Sequence, residues 1–233
     1  MAMASKDVYL GTGTTLSSNY YLRSFYQSNQ NARTASKRHE MSSTKLSLAD
    51  SHALQKALKK LGSSKFDEDH DTNIRNSISA YIETYNNMLS SASGSSDRTL
   101  ERSAKQLKNI TNEYAKELDK LGITVNDDGT LTGRETLLSS ADLSKFEKLF
   151  SGDSQYMQRT TAYAKRLVRR SEALDATATQ KQLKELADRK EASSATAADP
   201  SVSAAAAALA AADTADLNTL LNNGIGKNVN VVL

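Results

Sequence analysis

The chain has no cysteine and no tryptophan, one proline and three histidines in 233 residues. Without cysteine there is no disulfide, no thiolate metal site and no cysteine nucleophile. His39, His52 and His70 are scattered, and none has a partner at metal-ligand spacing, so no metal or cofactor is expected. A single proline leaves room for long helices, because proline costs about 3 kcal/mol in a helix interior. Aromatic residues make up 6% and hydrophobic residues 38% of the chain. The latter lies below the roughly 45–50% of compact domains, a figure that also counts glycine. Such a chain buries long, thin helical seams more readily than one thick core. Thirty basic residues face 27 acidic ones, a net charge of +3, too mild to imply a polyanionic partner. No apolar run is long enough to cross a bilayer; the alanine-rich stretch at 204–212 is too short and too weakly apolar. The opening MAMASKDVYLGTG lacks the charged start and apolar core of a cleavable signal. The expectation is a cytosolic chain or one exported by a route that reads no cleaved signal.

What is present is helical periodicity. Residues 1–40 are rich in Ser, Thr, Asn, Gln and Tyr and read as a flexible N-terminal arm, with a short helix near 20–30 that orders only against something else. A helix is expected over 42–61, with Gly62 at its C-terminal cap. Ile74, Ile78, Tyr81, Tyr85 and Met88 then follow at spacings of four, three, four and three, one face of a heptad seam with Thr72 as N-cap. The run SASGSS at 91–96 breaks that helix. Leu100, Ala104, Leu107, Thr111, Tyr114, Leu118 and Leu121 repeat the spacing. Two such seams joined by a short glycine-containing break should pack antiparallel. Ile123 and Val125 alternate with polar residues before Asp127-Asp128-Gly129 and Leu131, so 122–132 reads as a β-hairpin. Two short helices near 134–139 and 142–150 come next, then a long one from Asp153 that carries Tyr156, Thr160, Tyr163, Leu167 and Leu174. The expected organisation is the arm at 1–40, an antiparallel helical body at 41–191, and an alanine-rich helix with its tail at 192–233.

Candidate chemistry is sparse. With Gly129 taken as the glycine of a calcium loop, the ligand positions are Thr124, Asn126, Asp128, Thr130, Thr132 and Glu135. Thr124 stands where a carboxylate is required, so an ordinary turn is the better reading. Lys165, Arg166, Arg169 and Arg170 share a helix stripe and offer a weak nucleic-acid contact, although no aromatic platform accompanies them. Gly11 and Gly13 lack the lysine and the spacing of a phosphate loop. The tyrosines at 81, 85, 114, 156 and 163 sit at seam spacing, and no nucleophile stands beside a base. No enzymatic activity and no small-molecule substrate are expected.

Three stretches together carry a resemblance: ISAYIETYNNMLSSA at 78–92, LERSAKQLKNITNEYAKELDKLGITVNDDGTLT at 100–132 and LLSSADLSKFEKLFSG at 137–152. They resemble the C-terminal helical module of the flagellar filament cap, or hook-associated protein 2, family. Tyr81, Tyr85, Asn86 and Leu89 are similar to its Y-N helix. Leu118, Leu121, Gly122, Ile123, Asp128, Gly129 and Leu131 are similar to its G-I-x(4)-D-G-x-L tip, and Leu137, Phe146, Leu149 and Phe150 to its L-F helix. The resemblance implies export through the flagellar channel, an extracellular place on the flagellum, and assembly with itself or with other axial proteins.

The expectation is therefore an all-α protein: an elongated antiparallel helical bundle or coiled coil with a small β-hairpin at one tip and flexible termini. Its function would be structural, through Ile74, Ile78, Tyr81, Tyr85, Leu107, Tyr114 and Leu118 on the seams and Ile123, Val125, Gly129 and Leu131 in the hairpin. A cytosolic coiled-coil adaptor or chaperone and a nucleic-acid binder are the rival classes.

Overall fold

The computed structural model describes residues 15–196, with side chains as far as residue 190. The glycines at 11 and 13, the alanine-rich helix expected after Pro200, and the tail lie outside the described residues. The chain divides into two units, 1–175 and 176–233. The described residues are mostly helical: nine α-helices and one two-stranded antiparallel sheet.

In the first unit, α1 (Ser18–Phe25) starts where the Ser17 hydroxyl accepts the Tyr20 amide. A 3-10 turn (Gln30–Arg33) and the one-turn helix α2 (Ala35–Arg38) lead to α3 (Ser43–Gly62). The helix α3 is capped by Ser42 and ends one residue later than expected, with Gly62 as its last helical residue rather than its cap. The described part of the expected arm is packed: Tyr21, Leu22, Phe25 and Tyr26 are buried, and α1 lies against α3 and α4. Its aromatic side chains find there the apolar partner that they lack in isolation.

The helix α4 (Asp71–Ser93) starts before Thr72, which is not its cap. The Asp67 carboxylate accepts the His70 amide just upstream instead. Four residues then separate α4 from α5 (Arg98–Glu113), which the Asp97 carboxylate caps at the Leu100 amide. The single helix expected over 100–121 is interrupted at Tyr114, where the amide bonds back three residues to Thr111. That tightened turn carries the Tyr114 ring to 5.2 Å from the Tyr156 ring. The short α6 (Ala115–Asp119) follows, and the chain turns at Gly122 with φ +80°, a left-handed cap that suits glycine.

Strands β1 (Ile123–Val125) and β2 (Leu131–Gly133) pair antiparallel, with Thr124 opposite Thr132. Helices α7 (Glu135–Ser140) and α8 (Leu143–Phe150) precede α9 (Gln155–Thr196). The direction of packing follows from cross-contacts. Ser47 near the start of α3 bonds the Ser91 carbonyl near the end of α4, so the two helices run antiparallel. Asp97 before α5 pairs with Arg170, and Glu113 at its end pairs with Arg159, so α5 and α9 are antiparallel as well. One core joins α1, α3, α4, α5, the hairpin, α8 and the first part of α9. In the second unit, the described residues continue α9 as helix, with Leu183 exposed and Lys181 reaching Glu185 one turn on.

The cap carboxyls should make the fold more stable above the carboxylate range than below it. The Arg170 guanidinium and the Leu100 amide hold Asp97 below the ordinary aspartate range, and the Ser144 amide and hydroxyl hold Asp142 below it. Because folding depresses both pKa values, their stabilisation is complete above the unfolded value of about 3.9 and is lost as pH falls through the lower folded value. The urea midpoint should therefore drop below about pH 4, and less steeply in Asp97→Asn. An identical acid limb in that variant would contradict the pairing. The two left-handed glycines should also differ. A Cβ on Gly122 would lie 2.7 Å from Leu137 Cβ and from the Leu138 amide nitrogen, whereas on Gly129 its nearest neighbours would be atoms of the flexible Lys108 side chain, from 2.8 Å. Gly122→Ala should cost about 2–4 kcal/mol, and Gly129→Ala about 1–2 kcal/mol, in equilibrium unfolding. Equal losses would show that backbone crowding at Gly122 is relieved.

Candidate functional site

The three stretches that carry the resemblance meet around one side of α4. Asn86 sits one helical step beyond the seam residue Tyr85. Its Nδ2 donates to the Leu131 carbonyl at 2.8 Å, and its Oδ1 accepts the Leu131 amide at 2.8 Å. A single side chain thus offers β2 the donor and the acceptor that a neighbouring strand would supply. Below it, Gly133 lies against Ile82 and Leu138; a Cβ there would approach their side chains to 3.2 and 2.9 Å. The hairpin loop closes on itself. Asp128 Oδ1 accepts the Thr130 amide at 2.8 Å and the Thr130 hydroxyl at 2.6 Å, while Asn126 Nδ2 donates to the Thr130 and Thr132 hydroxyls. Four of the six side chains considered as calcium ligands, Asn126, Asp128, Thr130 and Thr132, are thus engaged with one another.

Arg75, also on α4, holds the next segment. It pairs with Asp71 at 2.6 Å and donates to the Leu138 carbonyl and, at 3.0 Å, to the Ala141 carbonyl at the end of α7. Positive charge is favourable at a helix C-terminus. Its guanidinium lies 5.4 Å from the Phe146 ring centroid. Two shallow clefts, of about 440 and 560 Å³, both include Arg75 and Asp71 in their walls, so the one strong cation there is already bonded to protein. Deeper in, Tyr81 packs edge-on against Phe150 at 5.8 Å, Phe150 against Tyr156 at 5.9 Å, and the Tyr81 and Tyr156 hydroxyls share a 2.7 Å hydrogen bond. Burial pushes the Tyr81, Tyr85 and Tyr156 hydroxyls up from their ordinary pKa, so all three stay protonated.

The seam and hairpin residues named from the sequence are inside the chain. Ile74, Ile78, Tyr81, Tyr85, Leu107, Leu118, Ile123, Gly129 and Leu131 are buried, and Tyr114 and Val125 are half-buried against the same core. The fold brings them together and covers them with its own helices. The basic stripe is divided: Lys165 and Arg169 are exposed, Arg166 lies over the Tyr163 ring at 4.7 Å, and Arg170 pairs with Asp97. His52 faces Glu172 at 3.3 Å, and His70 bonds Asp67. Among the described residues no group of three or more His, Cys, Asp or Glu is placed to hold a metal ion, and no helix is long and apolar enough to cross a membrane.

The sequence reading missed a second polar centre. Asp50, fully buried on α3, accepts two bonds of 2.8 Å from the Arg38 guanidinium and one of 2.8 Å from the Tyr26 hydroxyl, which in turn accepts Asn87 Nδ2 at 3.0 Å. Burial, then the adjacent Asp50 charge, drives the Tyr26 hydroxyl far above its ordinary pKa. A signal existed: Asp50 lies on the stripe shared by Ala53, Leu54 and Ala57, and an acid on an apolar stripe requires a partner. The asparagines of α4 carry no such mark, because nothing local tells a solvated Asn from a clamping one.

Family models, curated proteins and solved structures all gave no match to this chain. The hairpin clamp makes a separate prediction. Asn86→Ala leaves the Leu131 amide and carbonyl without partners at a buried position and should cost about 2–4 kcal/mol. Hydrogen exchange should accelerate first at residues 123–133. Loss confined to α3, with the hairpin still protected, would remove the clamp from the account.

Proposed function

We propose that this chain is a structural assembly protein of the bacterial flagellar axial or cap type, acting outside the cell without catalysis. The helical part of residues 41–175 would be an elongated antiparallel bundle with the hairpin at one tip. One observation supports this reading above the others: the motif residues come from three separate stretches, yet they contact one another. Tyr81 packs on Phe150, Asn86 clamps Leu131, and Gly122 makes the left-handed turn against Leu137 and Leu138.

The seams are filled within the chain, so contacts with neighbouring subunits would come from its outer faces. Leu137, beside the hairpin, and Tyr20, on α1, are large exposed hydrophobic residues suited to such contacts. The proposed partners are further copies of the chain or other axial proteins.

The test is export. In its own host, the chain should appear intact in the culture medium when the flagellar export apparatus is functional and stay in the cells when that apparatus is deleted, with a cytosolic marker retained in both. Retention in both strains would sink the flagellar reading and favour a cytosolic adaptor.

A further inference from the structure

Residues 15–38 lie across α3 and α4 as a strap. Leu16 is gripped on its backbone: its amide donates to Asn73 Oδ1 at 2.6 Å, and its carbonyl accepts Asn76 Nδ2 at 2.9 Å. Tyr21, Leu22, Phe25 and Tyr26 fill the apolar part of the groove. At the far end, Tyr26 and Arg38 supply the hydrogen-bond partners of the buried Asp50. The strap also holds itself together. Arg33 donates to Asn19 Oδ1 at 2.6 Å, Gln30 to the Arg23 carbonyl at 2.8 Å, and Arg38 to the Ala32 carbonyl at 2.6 Å.

The link from the strap to α3 is residues 39–42. The helix breaks there because Ser42 is extended, at φ −64° and ψ 149°, and caps the Lys45 amide. Nothing else in the local sequence demands the break. From residue 35 through 61 there is neither proline nor glycine, so one uninterrupted helix across the link is sterically allowed. In that helix Arg38 and Asp50, twelve residues apart, would stand about 18 Å apart along the axis. Arg38 then cannot reach the Asp50 of its own copy, and the buried carboxylate has to take its partner from elsewhere.

We propose that the chain forms a dimer by exchanging residues 15–38. Residues 39–42 straighten, α2 and α3 become one helix, and the strap of each copy docks on the α3–α4 face of the other, with Arg38 of one copy on Asp50 of the other. Contacts within the strap travel with it. Contacts across the groove re-form between copies, so closed and exchanged forms differ in the link and in the entropy of association. The inference stands on these contacts and does not depend on the flagellar reading.

The test uses the full chain, refolded at increasing concentration and measured by size exclusion with light scattering. The wild type should show a doubled mass that grows with concentration. Ser43→Pro is compatible with the closed form, because Ser43 is the first residue of α3 and Ser42 before it is extended. It blocks the continuous helix and should lower the association constant at least roughly a hundredfold, with the monomer's circular dichroism unchanged. Arg38→Asp and Asp50→Arg should each fail to form the exchanged dimer alone. Refolded together at equal amounts, they should form a one-to-one dimer, because opposite charges then meet at both exchanged contacts. A wild type that stays monomeric at every concentration, a Ser43→Pro dimer as tight as wild type, or a charge-reversed mixture that forms no dimer would each overturn the proposal. Loss of export with the dimer intact would leave it standing and remove only the flagellar reading.

Discussion

Everything in the first unit leans on α4 being buried on nearly every side. Its seam of Ile74, Ile78, Tyr81, Tyr85 and Met88 enters the common core. Ser77, Ala80, Thr84 and Ser91 are small and buried, as are Ile82 and Leu89, and α3 packs along the helix with Ser47 bonded to the Ser91 carbonyl. Only Thr72, Ser79, Glu83, Ser90 and the terminal Ser93 along its length are exposed. A helix enclosed in this way cannot leave its polar side chains to water, and an unpaired buried amide is costly. Asn73, Asn76, Asn86 and Asn87 resolve the conflict by bonding segments that need partners of their own: the backbone of Leu16, the backbone of Leu131 and the hydroxyl of Tyr26. The two-stranded hairpin would be marginal alone. Against α4 it gains the Asn86 clamp and a buried apolar face.

The ion pairs divide by exposure. Lys37–Glu40 and Lys181–Glu185 are solvated pairs one turn apart, a class that contributes little to stability. Arg38–Asp50 is of another kind. Asp50 has no exposed side-chain surface and Arg38 little, and removing one partner of such a pair typically costs on the order of 3–5 kcal/mol because the other charge stays buried. The pair joins residues twelve apart across a break in the helix. It therefore ties the fate of the N-terminal strap to the conformation of one short link. This charged contact, with the Leu16 clamp and the buried aromatic residues of α1, holds the strap on α3 and α4.

The helical elements were largely legible. Spacings of three and four mark α3, α4, α5 and the start of α9, and Asp-Gly between alternating residues marks the hairpin, because both patterns report a side chain's direction within a few residues. The interruption at Tyr114 was not legible, since it serves a ring contact with Tyr156, 42 residues on. Thr72 looked like a cap and is not one; Asp67, displaced by the 3-10 turn, bonds the His70 amide instead. The N-terminal stretch reads as a polar arm because its four buried aromatic and aliphatic residues make too small a face to fold alone. They need the groove of α3 and α4, which local sequence cannot reveal.

The sequence by itself determined where the long helices run, where the hairpin turns, and which seam side chains belong inside. Periodicity and turn chemistry are properties of neighbouring residues, and they survive whatever the rest of the chain does. Only the tertiary structure decided what each inside face packs against. It turned the seams inward on one another, made Asn86 a strand partner and Arg75 a helix cap, and brought Arg38 and Tyr26 to Asp50. Those choices depend on distances between residues tens of positions apart. A polar side chain that is ordinary in water becomes a required partner only once the fold has excluded the water around it.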